Sequence, residues 1–354
     1  MPRKIGVLTF HRCINYGSYW QARCLVDGLR ARGHDAELLD HRSVTVERAE
    51  LRCAFQPQLP RRTARSDHPA LGAKTRKFAD AIAKLPLSQP FDLDAPERMG
   101  RYDSIVVGSD EVWNFQHPWY GSNPLFFGRG IKSERLISYA ASFGNHDADH
   151  GIGEDWAGSL NAFTALSVRD HNSQRLIAGA LDVDPELVLD PCLQFPDIVP
   201  DARSAAAPHY AIVYGHGFPE WFEAAVRRWA DRRQLRLVSI GYRNDWADEQ
   251  HIDASPADFA DAFAGTQAVA TNFFHGCVFA LRNATPFVCA ATPYRFNKLR
   301  DLTASLDAGR HLVDASTPDA DYDALLGAPL DPAVGERVAM LRVRSNSFLE
   351  QALG

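Results

Sequence analysis

Short apolar runs alternate with stretches in which apolar positions recur every three or four residues, and this pattern extends over most of the chain. The first run, Ile5-Gly6-Val7-Leu8-Thr9-Phe10, reads as a buried strand. A loop to Gly17 and a helix from about Tyr19 to Arg32 follow, with Gly33 as the stop signal. The next run, Ala36 to Asp40, completes a strand–helix–strand unit of the kind that builds parallel sheets. Further strands are expected at 104–108, 136–140, 165–168, 187–189, 210–214, 236–240, 268–271 and 287–290. The spacing predicts helices over about 220–233, 256–264, 276–282 and 332–353.

Two segments break the rhythm. Residues 44–90 contain Arg61, Arg62, Arg65, Lys74, Arg76 and Lys77 and several prolines, and read as a basic excursion with one helix near 74–84 and a solvated surface. Residues 201–208 are small, polar and flanked by proline, which places the linker between domains there. The expected fold class is therefore α/β: two Rossmann-like, doubly wound domains facing a cleft. The first covers 1–200 and carries the excursion 44–90, and the second covers 208–330. The helix over 331–354 is placed as an appendage that can pack back on the first domain.

The composition fits that class. A chain of 354 residues is long enough for two cores, and 45% hydrophobic with 23% charged residues is ordinary for a globular protein. A formal net charge of −6 speaks against a nucleic-acid binder working through bulk positive charge. The six cysteines form no C-x-x-C pair, so zinc and thioredoxin-like spacings are absent and reduced thiols are expected. The start Met1-Pro2-Arg3-Lys4 leads directly into a strand without a signal-peptide pattern, and no apolar run is long enough to span a bilayer. The expectation is a cytoplasmic protein with no stable membrane insertion, no nucleic-acid partner and no metal.

Candidate chemistry gathers where strands end. Thr271-Asn272-Phe273-Phe274-His275-Gly276 follows an apolar run and precedes a helix, the place where open α/β sheets bind ligands. A histidine there suits general acid–base work, and the helix end suits phosphate or carboxylate. Gly108-Ser109-Asp110-Glu111 follows another strand, and Asp110 is a candidate base or hydroxyl ligand. Arg169 follows a third strand and is a candidate for bidentate anion binding, with an ion pair to Asp170 or another acid as the structural alternative. The first loop, with Asn15 and Gly17, leads to a helix start, and Arg295 and Lys298 place two cations beyond the strand at 287–290. No dinucleotide, P-loop or nucleophile-elbow motif occurs.

In order and spacing these segments resemble the polysaccharide pyruvyl transferase family. The resemblance rests on Ile5–Phe10, Asn15-Tyr16-Gly17, Gln21-Ala22, Gly108 to Asn114, Ser138 to Gly144, Ser167 to Asp170, Val188 to Pro191 and Thr271 to Gly276. It implies a GT-B-like architecture, and phosphoenolpyruvate as donor with no further cofactor. It also implies a sugar, glycan or lipid-linked glycan as acceptor, and transfer of the pyruvyl group to its hydroxyls with release of phosphate. His275 and Asp110 would then be catalytic. Arg169, Asn15, Gly17, Ser109, Asn272, Gly276, Arg295 and Lys298 would bind substrate. The chain departs from the family where it has Glu111 in place of Gln, Phe274 in place of Ser, and the bulky Tyr19-Trp20 after Gly17. These departures keep two other readings in view: a GT-B-like glycosyltransferase using a nucleotide-sugar donor, and a non-catalytic homologue.

Overall fold

A computed structural model describes residues 2–200 and 209–354, so the expected linker at 201–208 lies outside the described residues. The chain divides into two compact units. One is made of Met1–Glu50, Ile82–Ile198 and Ala339–Gly354, the other of Leu51–Ala81 and Val199–Val338.

The first unit is built on a four-stranded parallel sheet in the order Asp35–Leu38, Lys4–Leu8, Tyr102–Val107, Ser133–Ser138. Single parallel bridges, Ile137 to Ala165 and Ala141 to Val168, continue it toward the short pair Ser167–Val168 and Glu186–Leu187. Its strands run parallel through crossovers that are helical, except between Tyr102–Val107 and Ser133–Ser138, where a long loop with the 3-10 turn Pro124–Phe127 makes the return, and they are apolar because both faces are covered. Leu8, Ile105, Val107, Trp113, Phe126, Phe127 and Phe143 form the core on one side.

The second unit holds a six-stranded parallel sheet. Its order is Glu249–His251, Arg236–Ile240, Tyr210–Tyr214, Val269–Thr271, Phe287–Ala290, Leu312–Val313. The amphipathic helix Glu220–Arg232 lays Phe222, Val226 and Trp229 on Val213, Leu237 and Ala270. In each sheet the strand order reverses beside the unit's first strand. In the first unit this happens between Lys4–Leu8 and Tyr102–Val107, in the second between Tyr210–Tyr214 and Val269–Thr271. Crevices at such reversals are where doubly wound sheets take ligands.

Several boundaries differ from the sequence reading. The first helix starts at Tyr16, not near Tyr19, because the Asn15 side chain caps it, accepting from the amides of Gly17 at 2.8 Å and Ser18 at 3.2 Å. Tyr19 and Trp20 both lie in the interior, so this bulk fills core space. The excursion contains two helices, Val44–Phe55 and His68–Ile82, instead of one. Its part Leu51–Ala81 clusters with the second unit, although the preceding strands belong to the first. Lys74, expected on a solvated face, is 2% exposed, because its ammonium donates to the Gly241 carbonyl at 2.9 Å and lies 4.4 Å from the Tyr242 ring centroid. The last helix runs over Pro332–Leu353, and from Ala339 onward it counts with the first unit. There Ser345 accepts from the Leu189 amide and Arg135 donates to the Ala352 carbonyl. Among the described residues no helix is long and apolar enough to cross a membrane.

Candidate active site

At the reversal point of the first unit the strand Tyr102–Val107 ends in Gly108, Ser109 and Asp110. Gly108 has φ +112°, and a Cβ there would lie 2.3 Å from the Tyr139 carbonyl oxygen, so only glycine fits. Asp110 has φ +79°, a conformation that costs a non-glycine residue on the order of 1–3 kcal/mol. Its carboxylate is held from several sides. Ser18 Oγ donates at 2.8 Å, the Glu111 amide at 2.9 Å, and Arg169 Nη2 at 3.1 Å. Beneath it, Thr9 Oγ1 donates to the Ser109 carbonyl at 2.8 Å, and Gln21 Nε2 donates to Thr9 Oγ1 at 3.0 Å. The helix Tyr16–Ala31 supplies both Ser18 and Gln21, which explains why its cap residue matters to the site.

Arg169 reaches from the end of the strand Ser167–Val168. Its guanidinium side chain is 2% exposed and bridges two carboxylates, Asp110 and, through Nη1 at 3.0 Å, Asp190. Burial works against this charge. The carboxylates of Asp110, Asp190, Glu111 and Asp170 overcome it and hold the guanidinium's pKa above its ordinary value. Both arms of Arg169 serve protein carboxylates, which is the ion pair to another acid that the sequence reading held as its alternative. The alternative partner Asp170 has a different use. It caps the helix His171–Leu181 by accepting from the Ser173 amide at 2.7 Å. Asn15 and Gly17, expected to touch substrate, form the helix cap described above. Glu111 accepts from Asn114 Nδ2 at 2.8 Å, so the position carries an additional carboxylate toward Arg169.

In the second unit the helix Phe274–Arg282 puts His275 in its first turn, with Phe274 edge-on to the imidazole at 5.2 Å between ring centroids. Gly276 is needed for a local reason. A Cβ would fall 2.1 Å from Thr271 Oγ1, which donates to the Tyr214 carbonyl and accepts from the Phe273 amide. The close approach that glycine permits is thus to Thr271. Asn272 is fully buried and donates to the His216 carbonyl at 2.8 Å, so it anchors the neighbouring loop. Arg295 lays its guanidinium 4.4 Å from the Phe273 ring centroid, whereas Lys298 sits 5.9 Å from that of Tyr294.

Sequence reasoning passed over His216 here, which lies beside Tyr242, and read Lys74 as solvated. The His216 ring lies 5.1 Å from Tyr242 and 5.2 Å from Phe273. Burial, then Arg295 and Lys74, push its pKa down to about 4. Burial also pushes Lys74 down to about 7, with the Cys53 thiol acting weakly the other way. The signal was available, because Gly215-His216-Gly217 directly follows the strand Tyr210–Tyr214.

A second buried histidine, His41, is pushed down to about 3 by burial and by His11. The unfolded chain takes up protons at these two histidines below about pH 6.5, while the fold resists until about pH 4 and 3. Stability is therefore fully present above pH 6.5 and is lost progressively as pH falls toward 4. Thermal unfolding between pH 7 and 4 is expected to show a falling midpoint. The slope should be shallower in His41→Asn, which keeps a donor for the Thr9 carbonyl; equal slopes would remove His41 as a cause.

A sequence profile of the family described as polysaccharide pyruvyl transferase matches residues 15–293, most of the chain and both switch-point segments. The chain belongs to that family. As a pyruvyl transferase family member it is a transferase, and its fold is α/β with two Rossmann-like, parallel-sheet units. Solved structures similar to this family member include a candidate UDP-N-acetylglucosamine 2-epimerase from Listeria monocytogenes, at 12% identity and TM-score 0.52 over 99% of this chain and 95% of that one. Another is the UDP-GlcNAc 2-epimerase of Neisseria meningitidis bound to UDP-GlcNAc, at 7% identity and TM-score 0.50 over 97% and 99%. The glycosyltransferase of kitacinnamycin matches at 14% identity and TM-score 0.47 over 98% and 95%. At such identities the likeness is one of fold alone. Curated proteins gave no match to the pyruvyl transferase family member.

Proposed function

We propose that this pyruvyl transferase family member moves the pyruvyl group of phosphoenolpyruvate onto hydroxyls of a sugar, glycan or lipid-linked glycan and releases phosphate. The observation that carries the reading is the family match over residues 15–293. It takes in Asp110, buried and fixed between Ser18 and Arg169 at the first unit's switch point.

The chemistry needs one proton delivered to the methylene carbon of the donor, which leaves a cationic centre at the adjacent carbon. One acceptor hydroxyl attacks that centre, forming a C–O bond and giving up its proton. The C–O bond to phosphate then breaks, phosphate departs with the bonding pair, and a second hydroxyl closes the ketal. The two hydroxyl protons balance the one added to carbon and the one carried off by phosphate.

Asp110 is assigned as the base that receives a hydroxyl proton, because Ser18, the Glu111 amide and Arg169 hold its carboxylate in one orientation at the first unit's switch point. His275 is assigned as the acid or as the phosphate's partner, at a helix N-terminus that favours negative charge. Arg169 aims Asp110.

The test is incubation of the protein with phosphoenolpyruvate and a panel of sugars, glycans and lipid-linked glycans. Phosphate release should match the amount of acceptor that gains the mass of one pyruvate less one water. Turnover of a UDP-sugar with phosphoenolpyruvate untouched would replace this reading by the nucleotide-sugar one.

A further inference from the structure

Three basic side chains converge in the second unit around two aromatic rings. Arg295 lies on Phe273, Lys74 lies beside Tyr242, and His216 touches both rings, which are themselves 5.4 Å apart. His216 and Phe273 stand just beyond the carboxyl ends of Tyr210–Tyr214 and Val269–Thr271, the pair of strands between which the sheet order reverses. The helix Phe274–Arg282 begins at the same place and adds the positive end of its dipole. The loop is fixed: Asn272 holds the His216 carbonyl, and a Cβ at Gly215 would lie 2.0 Å from Asn272 Oδ1.

We propose that this cluster is a phosphate-binding subsite, in which Arg295 and His216 touch the phosphate and Lys74 acts behind Tyr242 as a positioning charge. A guanidinium stacked on a ring directs its N–H groups sideways, in the plane where bidentate bonds to phosphate form. An imidazole offers one N–H donor when neutral and two when protonated. Lys74 gives its bond to Gly241 and supplies field instead of contact. A phosphate dianion beside Arg295 favours the protonated forms of His216 and Lys74, which burial disfavours without it.

A nearby cavity of about 130 Å3 between residues 57–71 and 241–252 is a poorer candidate for an anion. Two of its three arginines pair with acids, Arg243 with Asp67 and Arg61 with Asp245.

The subsite rests on the donor reading above only for which molecule brings the phosphate, phosphoenolpyruvate or a nucleotide or lipid diphosphate. Isothermal titration of the full chain with inorganic phosphate, phosphoenolpyruvate and UDP tests it. Arg295→Ala and His216→Gln are each expected to weaken phosphate binding about tenfold, the effect of losing one charge-assisted bond. Lys74→Met should weaken it about threefold without lowering the unfolding temperature, because a buried charge is removed. With phosphoenolpyruvate as substrate, Lys74→Met should raise KM and leave kcat unchanged. Arg232→Ala, which alters ion pairs to Asp319 and Asp323 on an exposed face, should bind phosphate as the unaltered chain does.

Unchanged phosphate affinity in Arg295→Ala and His216→Gln overturns the subsite, even if phosphoenolpyruvate is turned over. Loss of phosphate binding in those variants, with no turnover of phosphoenolpyruvate, upholds the subsite and overturns the donor reading. UDP binding that is tighter than phosphoenolpyruvate binding, and weakened by the same substitutions, upholds the subsite and assigns the phosphate to a nucleotide.

Discussion

Arg169→Ala is expected to lose about 3–5 kcal/mol of stability, the usual result of removing one partner from a buried ion pair. The cause is the pair of carboxylates left behind. Asp190 has a side chain 1% exposed and Asp110 one 12% exposed, and the guanidinium bridges both. Without it, two like charges share a site that water scarcely reaches, and the relief open to them is to take up a proton. Arg169→Lys retains the charge but not the two-armed reach, so it should fall between the wild type and alanine. The measurement is urea unfolding followed by a probe in the first unit, such as the fluorescence of the buried Trp113. A loss below about 1 kcal/mol, the range of exposed pairs, would show that the bridge is not the support described here.

His275→Ala is expected to leave the fold intact and to lower turnover of phosphoenolpyruvate about 10²–10⁴-fold, the range set by general acid–base catalysis. Alanine is a favourable helix residue, and the helix Phe274–Arg282 remains anchored by Phe279, Val278 and Cys277 in the interior. Far-ultraviolet circular dichroism should therefore be unchanged while phosphate release with an active acceptor collapses. Turnover within about threefold of the wild type would exclude a proton-transfer role of the usual size for this imidazole.

The architecture was legible where an apolar run is bounded by polar residues. Tyr210–Tyr214, Arg236–Ile240 and the helix Pro332–Leu353 lie where the pattern places them, because burial on both faces of a parallel sheet leaves an unbroken apolar stretch. The short edge strand Leu312–Val313 escaped because two residues carry no period. The helix Val44–Phe55 escaped because it opens on Val44-Thr45-Val46, whose branched side chains favour extended chain.

The candidate site was half legible. Asp110, His275 and Arg295 stand at strand or helix ends, and the sequence marks those ends. An ion pair of Arg169 with some acid was among the readings, but which acids was not visible, because Asp110 and Asp190 come to it only through the fold. Lys74 was misjudged because a lysine in a basic stretch reads as solvated. A carbonyl and an aromatic ring, both distant in sequence, make its burial possible.

The segment Leu51–Ala81 carries a consequence for how the molecule is made. The polypeptide crosses between its two units at residues 50–51, 81–82, 198–199 and 338–339, so neither unit is one uninterrupted stretch. On the ribosome the early helix His68–Ile82 emerges long before the strand Arg236–Ile240, whose following Gly241 accepts the Lys74 ammonium. The first unit waits longer still for its closing turns after Ala339. Neither unit is therefore complete before residue 338 has been made, and cutting the chain between 198 and 199 would separate each unit from a part of itself.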